Sequence, residues 1–347
     1  MFWFKPKPKV NMENLGVNPD SRLPEEKELD YKSEEIVAAY APIAWVEKPE
    51  SQWRKYPRFF QDGSSSCLFQ AIAKALGIEN YLEEGKFIPL SRRDGYCRRI
   101  NYPSPGTIPN DGMHIGYKYG LTVEQSMPSQ GLSEARMNDF SDRTPFDEFT
   151  AKLVKGGNHF LLPIDIEAIA SIIEPTGKPV VLCARFGPNE WFGKKVPQIL
   201  GTDTPYAHGF CATNTTLYQG KKATIIEDSA YYNADNEAVR VLTEDWFKTG
   251  RVYFASYYDF LKNDGLPQKP KWKFERNLKW GDDNEDVKHL KECLCYKRCF
   301  PSEGVNFTGY FGGITLKGVQ LYQTLMKIPV NGIADEITRQ ALNREFA

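Results

Sequence analysis

Between Gln61 and Gly77 the chain reads QDGSSSCLFQAIAKALG, a polar turn running into an apolar pattern. Leu68, Phe69, Ile72, Ala73 and Leu76 recur at helical spacing, which predicts a helix with one buried face. Ser64, Ser65 and Ser66 can each cap its start, and Gly77 suits its stop. Further along, the apolar residues gather into short runs: KPVVLCARF, HGFCATNTTLY, KKATIIEDS and RVYFASYY. A helix followed by several such runs predicts an α+β domain built on an antiparallel sheet. The polar stretch KNDGLPQKPKWKFERN, with its prolines and glycine, reads as a linker. Helical periodicity then returns in DNEDVKHLKECL, TLKGVQLYQTLM and DEITRQALNREF, a small all-α domain. The expected organisation is an extended tail over 1–30, a domain over 31–262, a linker over 263–276 and a helical domain over 277–347.

With 347 residues there is room for two cores, and a net charge of −1 offers no global field toward nucleic acid or an anionic membrane. Neither is expected as a partner. No apolar run approaches the roughly 20 residues that span a bilayer, so no membrane insertion is expected. The start, MFWFKPKPKV, places aromatics before lysines and prolines, unlike a secretory signal. Seven cysteines form no small-scaffold pattern, which favours reduced thiols. The cluster CLCYKRC offers a zinc ion three ligands, with His289 as a neighbour. Structural zinc sites take four ligands, and packing of Cys295 and Cys299, four apart on one helix face, accounts for the cluster. No metal or cofactor is expected.

Cys67 falls in or just before the first turn of the predicted helix. There the free N–H groups and the helix dipole favour a thiolate, although the position equally suits a small buried hydrophobe. A thiolate nucleophile needs a base, an orienting group for that base and donors for an oxyanion. Of four histidines, His289 lies beyond the linker, His159 in KGGNHFLLP reads as a turn residue, and His114 begins a helix. His208 opens the strand-like HGFCATN beside small residues, as a packing residue or as a base. Asp228 ends the next strand, where a hairpin returns it beside His208. It can orient an imidazole or belong to an Asp-Ser turn. Gln61 can place its amide where the oxyanion develops, with the Cys67 N–H as second donor.

The order and spacing of Gln61, Cys67, His208 and Asp228 resemble the papain-like cysteine peptidases, whose cysteine-to-histidine separation includes the 141 residues found here. The likeness extends over about residues 45–260: PESQWRKYPRFFQDGSSSC resembles the mature start of such enzymes, and IPNDGMHIGYKYGLTVEQSMP their Asn-Gly-Gly segment and following helix. It implies a helical subdomain and a β subdomain with a cleft between, lined by Asn110, Asp111 and Gly112. It also moves His114 away from the base role. The chain departs from the family at several positions. Ser64 replaces a cysteine, Leu68 replaces the tryptophan after the nucleophile, and Asp228 replaces asparagine. The tryptophan usual two residues after that last position is missing.

GDDNEDVKHLKECL and GYFGGITLKGVQLYQTLMKIPVNGIADEITRQALN resemble the small three-helix peptidoglycan-binding module. Thr315 and Asp335 are helix-cap candidates there, Val319, Tyr322 and Leu325 share one face, and most of the pattern residues, among them Val287, Leu290, Gln323, Thr338 and Leu342, build the core. Tyr310 and Phe311 are the candidate wall contacts. Together the resemblances imply a monomeric cysteine peptidase acting on wall peptides or wall-associated proteins, as a phage or bacterial lytic enzyme does. Made in the cytoplasm, it would reach the wall after release or within a virion. The alternatives are a virion or adaptor protein that keeps the fold, and a protein-processing protease whose module is a docking domain.

Overall fold

The computed structural model describes residues 16–20, 43–53, 56–230, 239–259, 269–297, 299–300 and 307–347. Most of the expected 1–30 tail and the first residues of the expected linker lie outside these. The chain divides into two compact units, one drawn from Met1–Arg143 and Val154–Leu261, the other from Thr144–Leu153 and Lys262–Ala347.

Helix α1 (Cys67–Glu84) is buried on every side from Cys67 to Asn80, where the sequence pattern predicts one buried face. The reason is its place at the centre of the first unit. The short helix α2 (Arg92–Tyr96) and α3 (Pro109–Lys118) pack on one side and sheet strands on the other. Gly77 does not stop the helix. A Cβ there would come within 2.9 Å of the Ile88 carbonyl and the Phe87 ring, so this glycine permits close approach. The stop is Gly85, left-handed at φ +69°, whose N–H bonds the Tyr81 carbonyl at 2.9 Å.

The sheet comprises β1 (His159–Leu161), β2 (Val180–Phe186), β3 (Tyr206–Tyr218), β4 (Lys221–Glu227), β5 (Val239–Thr243) and β6 (Val252–Tyr258). Their spatial order is β1-β6-β2-β3-β4-β5, with every pairing antiparallel. This is the expected α+β class; the remaining short helices of the described residues are α4 (Glu134–Met137), α5 (Pro145–Leu153) and α7 (Asp245–Lys248). Gln219 and Gly220, both at positive φ, close the β3–β4 hairpin in the manner that suits strand twist. β2 is almost wholly apolar because it is buried on both faces: α1 packs against it, as does α6 (Ile166–Thr176), which supplies Ile169, Ile172 and Ile173 to a core with Leu182, Phe210 and Trp246. His159 opens β1 and is buried, not a turn residue.

The second unit holds helices α8 (Glu285–Tyr296), α9 (Gly313–Leu325) and α10 (Glu336–Phe346). Asn284 and Asp335 cap the first and third through their side chains. Thr315 is not a cap: α9 starts at Gly313 and Thr315 is buried in its first turn. Gln323 is fully buried, donating to Asn331, the Ile333 carbonyl and Thr338 while accepting from the Asn331 and Gly332 N–H groups. It fixes the turn before α10. Cys299 lies beyond the end of α8 and so does not share a helix face with Cys295; both are buried. The last residues of the expected linker belong to this unit: Trp272 stacks on His289 at 3.6 Å and donates to Asp286, and Phe274 exchanges hydrogen bonds with Asn343.

Lys74 on α1 forms a buried ion pair with Glu227 at the end of β4, which also accepts the Tyr56 N–H. The pair clamps the Cys67 helix, two turns from its start, to the strand that delivers Asp228. Burial raises the Glu227 carboxyl against the opposing pull of Lys74. Lys74→Met strands the carboxylate and should cost about 3–5 kcal/mol in denaturant unfolding, whereas Lys74→Met with Glu227→Leu should recover most of that loss. Additive losses in the double variant would show that the pair does not act as a unit.

Candidate active site

The turn before α1 is pinned from several directions. Gln61 N–H bonds the Ser229 carbonyl at 3.2 Å, Ser64 Oγ donates to the Gln61 carbonyl at 2.6 Å, and Ser65 N–H donates to Glu134 at 2.6 Å. This delivers Cys67 as the first residue of α1. Ser66 makes no side-chain cap; its Oγ engages Ser64 and Gln70 instead, so its side chain does not take up the positive helix end. Gly209 lets the helix reach β3: a Cβ there would meet Leu68 Cα at 3.1 Å. Its N–H donates to Cys67 Sγ at 3.4 Å.

His208, one residue before Gly209, is buried with Cys67 and interacts with its thiol. Its Nε2 meets Asp228 Oδ1 at 2.6 Å, and Nδ1, the other ring nitrogen, makes no further well-formed hydrogen bond. Asp228 Oδ1 also accepts the Ala230 N–H at 2.8 Å, while Oδ2 accepts Trp191 Nε1 at 2.8 Å and Arg240 Nε at 2.6 Å. Burial opposes the imidazolium, yet the charges of Asp228 and Cys67 and hydrogen bonds to both push His208 up to about 10. Burial likewise opposes the carboxylate, but His208, Arg240 and the hydrogen bonds hold Asp228 well below the usual range.

The structure therefore brings Cys67, His208 and Asp228 together. Gln61 borders them and is tied into the turn: its amide oxygen accepts from Ser229 Oγ at 2.9 Å and its Nε2 donates to the Ser64 carbonyl at 3.2 Å. His114 is exposed on α3 beside Tyr117. Sequence reasoning missed Trp191 and Arg240. The signal for Arg240 was a charged residue inside the apolar strand VRVLT, which demands a buried partner. Trp191 comes from the β2–β3 connection, and no local pattern ties it to Asp228. It stands where its ring meets His208 edge-on at 6.0 Å.

The expected cleft residues divide. Asn110 is buried, Asp111 accepts the Ile100 N–H at 2.9 Å, and Gly112 lies under α1, where a Cβ would meet Ile72 and Leu68 side chains at 2.9 Å. The extended chain that runs beside the serine turn engages Thr107 instead. Thr107 N–H donates to the Gly16 carbonyl at 2.7 Å, and Asn18 N–H donates to the Thr107 carbonyl at 2.9 Å, a parallel bridge centred on Val17. Gly16 sits so tightly on the Ser65 backbone that a Cβ would overlap its carbonyl.

Of the two expected surface aromatics in the helical module, Tyr310 is half exposed but Phe311 is fully buried, so Phe311 is a core residue. Backbone bonds between Phe311 and Asp282, and between Gly281 and Phe311, turn its side chain inward and bring Trp280 beside this loop. Trp280, Tyr310 and Ile314 are each about half exposed. Gly313 lies against the Trp280 ring and Gly312 against the Tyr310 ring, each where a Cβ would touch the aromatic.

Residues 283–342 match the family model described as "Putative peptidoglycan binding domain". None of the curated proteins matches the chain. Among solved structures, the chain is similar to xylellain, a cysteine protease from Xylella fastidiosa, with a TM-score of 0.56 at 15% identity over 72% of this chain and 97% of that one. It is also similar to the Amb a 11 cysteine protease, a ragweed pollen allergen, in its proform, with a TM-score of 0.51 at 18% identity over 67% of this chain and 71% of that one. The first unit thus has the papain-like fold of these proteases, and a module of the peptidoglycan-binding type follows it in the chain.

Proposed function

We propose that the protein is a cysteine peptidase that hydrolyses peptide bonds at the bacterial cell wall, held there by its C-terminal module. The observation that carries the reading is Cys67 at an uncapped helix start, against an imidazole that is anchored on its far side by Asp228. Cys67 Sγ attacks the carbonyl carbon, and the tetrahedral oxyanion is met by the Cys67 N–H and the Gln61 amide. His208, charged at neutral pH, protonates the leaving amine through Nδ1. Water, deprotonated by the then neutral imidazole, attacks the thioester and releases the acid and the thiol. Residues 16–18 take the Thr107 backbone groups, Gly16 lies against the Ser65 backbone two residues before the nucleophile, and Cys67 is fully covered. An extended substrate would use the Thr107 N–H and carbonyl that this segment now takes.

The test incubates purified sacculi, and separately casein, with the full chain, with a chain lacking residues 1–20, and with Cys67→Ala, followed by mass spectrometry of released peptides. We expect the shortened chain to be fastest and Cys67→Ala to release nothing. Hydrolysis by Cys67→Ala at the wild-type rate would remove the mechanism, and release from casein alone would move the substrate from wall peptides to proteins.

In the module, Trp280 and Tyr310 form the wall contact in this reading, and tethering acts by raising the local concentration of substrate. Trp280→Ala should weaken pelleting with sacculi by about fivefold or more, as losing a binding anchor does. Hydrolysis of a small soluble peptide should not change. Unaltered pelleting would place the contact elsewhere.

A further inference from the structure

Asp228 stands where the resembling enzymes carry an amide, and a carboxylate there has a charge that an amide lacks. A buried carboxylate without a counter-charge takes up a proton and stops acting as an anionic acceptor. Here the counter-charges are His208 and Arg240, the latter fully buried as the second residue of β5. Its Nε donates to Asp228 Oδ2, while its Nη1 donates to the Trp191 carbonyl at 2.7 Å and to the Lys194 carbonyl. One guanidinium thus fixes the carboxylate and the loop whose indole also donates to Oδ2. With Oδ2 doubly held, Oδ1 is left aimed at His208. The loop is tied down a second time where Glu190, next to Trp191, pairs with Arg251 at 2.8 Å.

We propose that Arg240 and Trp191 are positioning residues that let an aspartate do the orienting work of an amide. Arg240 neutralises Asp228 and, with the indole, sets the rotation of its carboxylate, so that His208 is held against Cys67. The proposal rests on the peptidase reading and extends it to two residues that do not touch substrate. A lysine cannot replace the arginine, because a single ammonium does not reach the carboxylate and two loop carbonyls in the planar arrangement that the fork provides.

The groups that share the imidazole's field are Cys67 on α1, Asp228 after β4 and Arg240 on β5. Cys183 on β2 and Tyr253 on β6 lie near Cys67, but burial pushes both up, so they stay neutral. The Lys74–Glu227 pair is closed on itself. Removing Arg240 therefore leaves the imidazolium facing an uncompensated carboxylate, which moves the alkaline limb of activity upward. Removing only the Asp228 charge leaves the Arg240 charge uncompensated by that carboxylate and moves that limb downward.

The decisive comparison uses Arg240→Met, Asp228→Asn and the double variant. Three readouts apply: thermal unfolding, the pH dependence of kcat/KM on a peptide, and the pH dependence of Cys67 alkylation by iodoacetamide. Arg240→Met should lower kcat roughly 10- to 100-fold, by analogy with losing a group that orients a metal-binding histidine, with KM little changed. The double variant should be more stable and faster than either single one, because an amide needs no counter-charge. Losses that multiply, with both pH profiles unmoved, would overturn the proposal. The alkylation profile reports the His208 arrangement without turnover, so it decides on the clamp even where no peptide is cleaved. Hydrolysis that survives Cys67→Ala would instead sink the peptidase reading alone.

Discussion

A carboxylate shut away from water has to be met by donors on every side, and among the described residues Asp228 is met by four: His208, Ala230, Trp191 and Arg240. Those donors come from β3, the residues after β4, the β2–β3 connection and β5. Satisfying one side chain therefore fixes four parts of the sheet subdomain relative to one another. The imidazole direction is a consequence of that network. Loss of any donor would leave a buried charge partly unpaired, which costs far more than the hydrogen bond itself contributes.

The nucleophile is placed by a different kind of constraint, namely backbone proximity. Gly209 and Gly112 each lie where a side chain would collide with the first turns of α1, so the helix settles against β3 on one side and α3 on the other. The Lys74–Glu227 pair fastens the same helix to β4. Gln61 links the turn before Cys67 to Ser229, the residue after Asp228. Helix start and carboxylate are thus joined through a short polar bridge as well as through the core.

Much of this was legible in the sequence. The strands, the helix start at Cys67 and the expected positions of His208 and Asp228 follow from periodicity and from the turn residues that punctuate it. What was not legible is mostly long-range. Gly77 has the look of a helix stop, and only the approach of Phe87 and Ile88 reveals it as a contact glycine. Phe311 and Tyr310 are adjacent aromatics, and nothing local says which turns inward; the backbone bonds to residues 281 and 282 decide it. Trp191 supplies an indole beside the histidine from a loop that precedes it in sequence, where the resembling enzymes draw one from after the third residue. Arg240 was readable as an anomaly in an apolar strand, but not as the partner of Asp228.

In the proposed mechanism Cys67 and His208 act as a chemical pair, in a way the other cysteines do not. Among those others, burial pushes the Cys97 thiol up to about 12 and the Cys295 thiol up to about 11, and raises Cys183, Cys211 and Cys293 as well. Treatment with a peptidyl chloromethyl ketone at pH 6 to 7, read by peptide mass spectrometry, addresses the pair directly. The account predicts one adduct, on Cys67, that forms at least tenfold more slowly in His208→Ala. Equal labelling of several cysteines, or a Cys67 adduct that forms as fast without the imidazole, would contradict it.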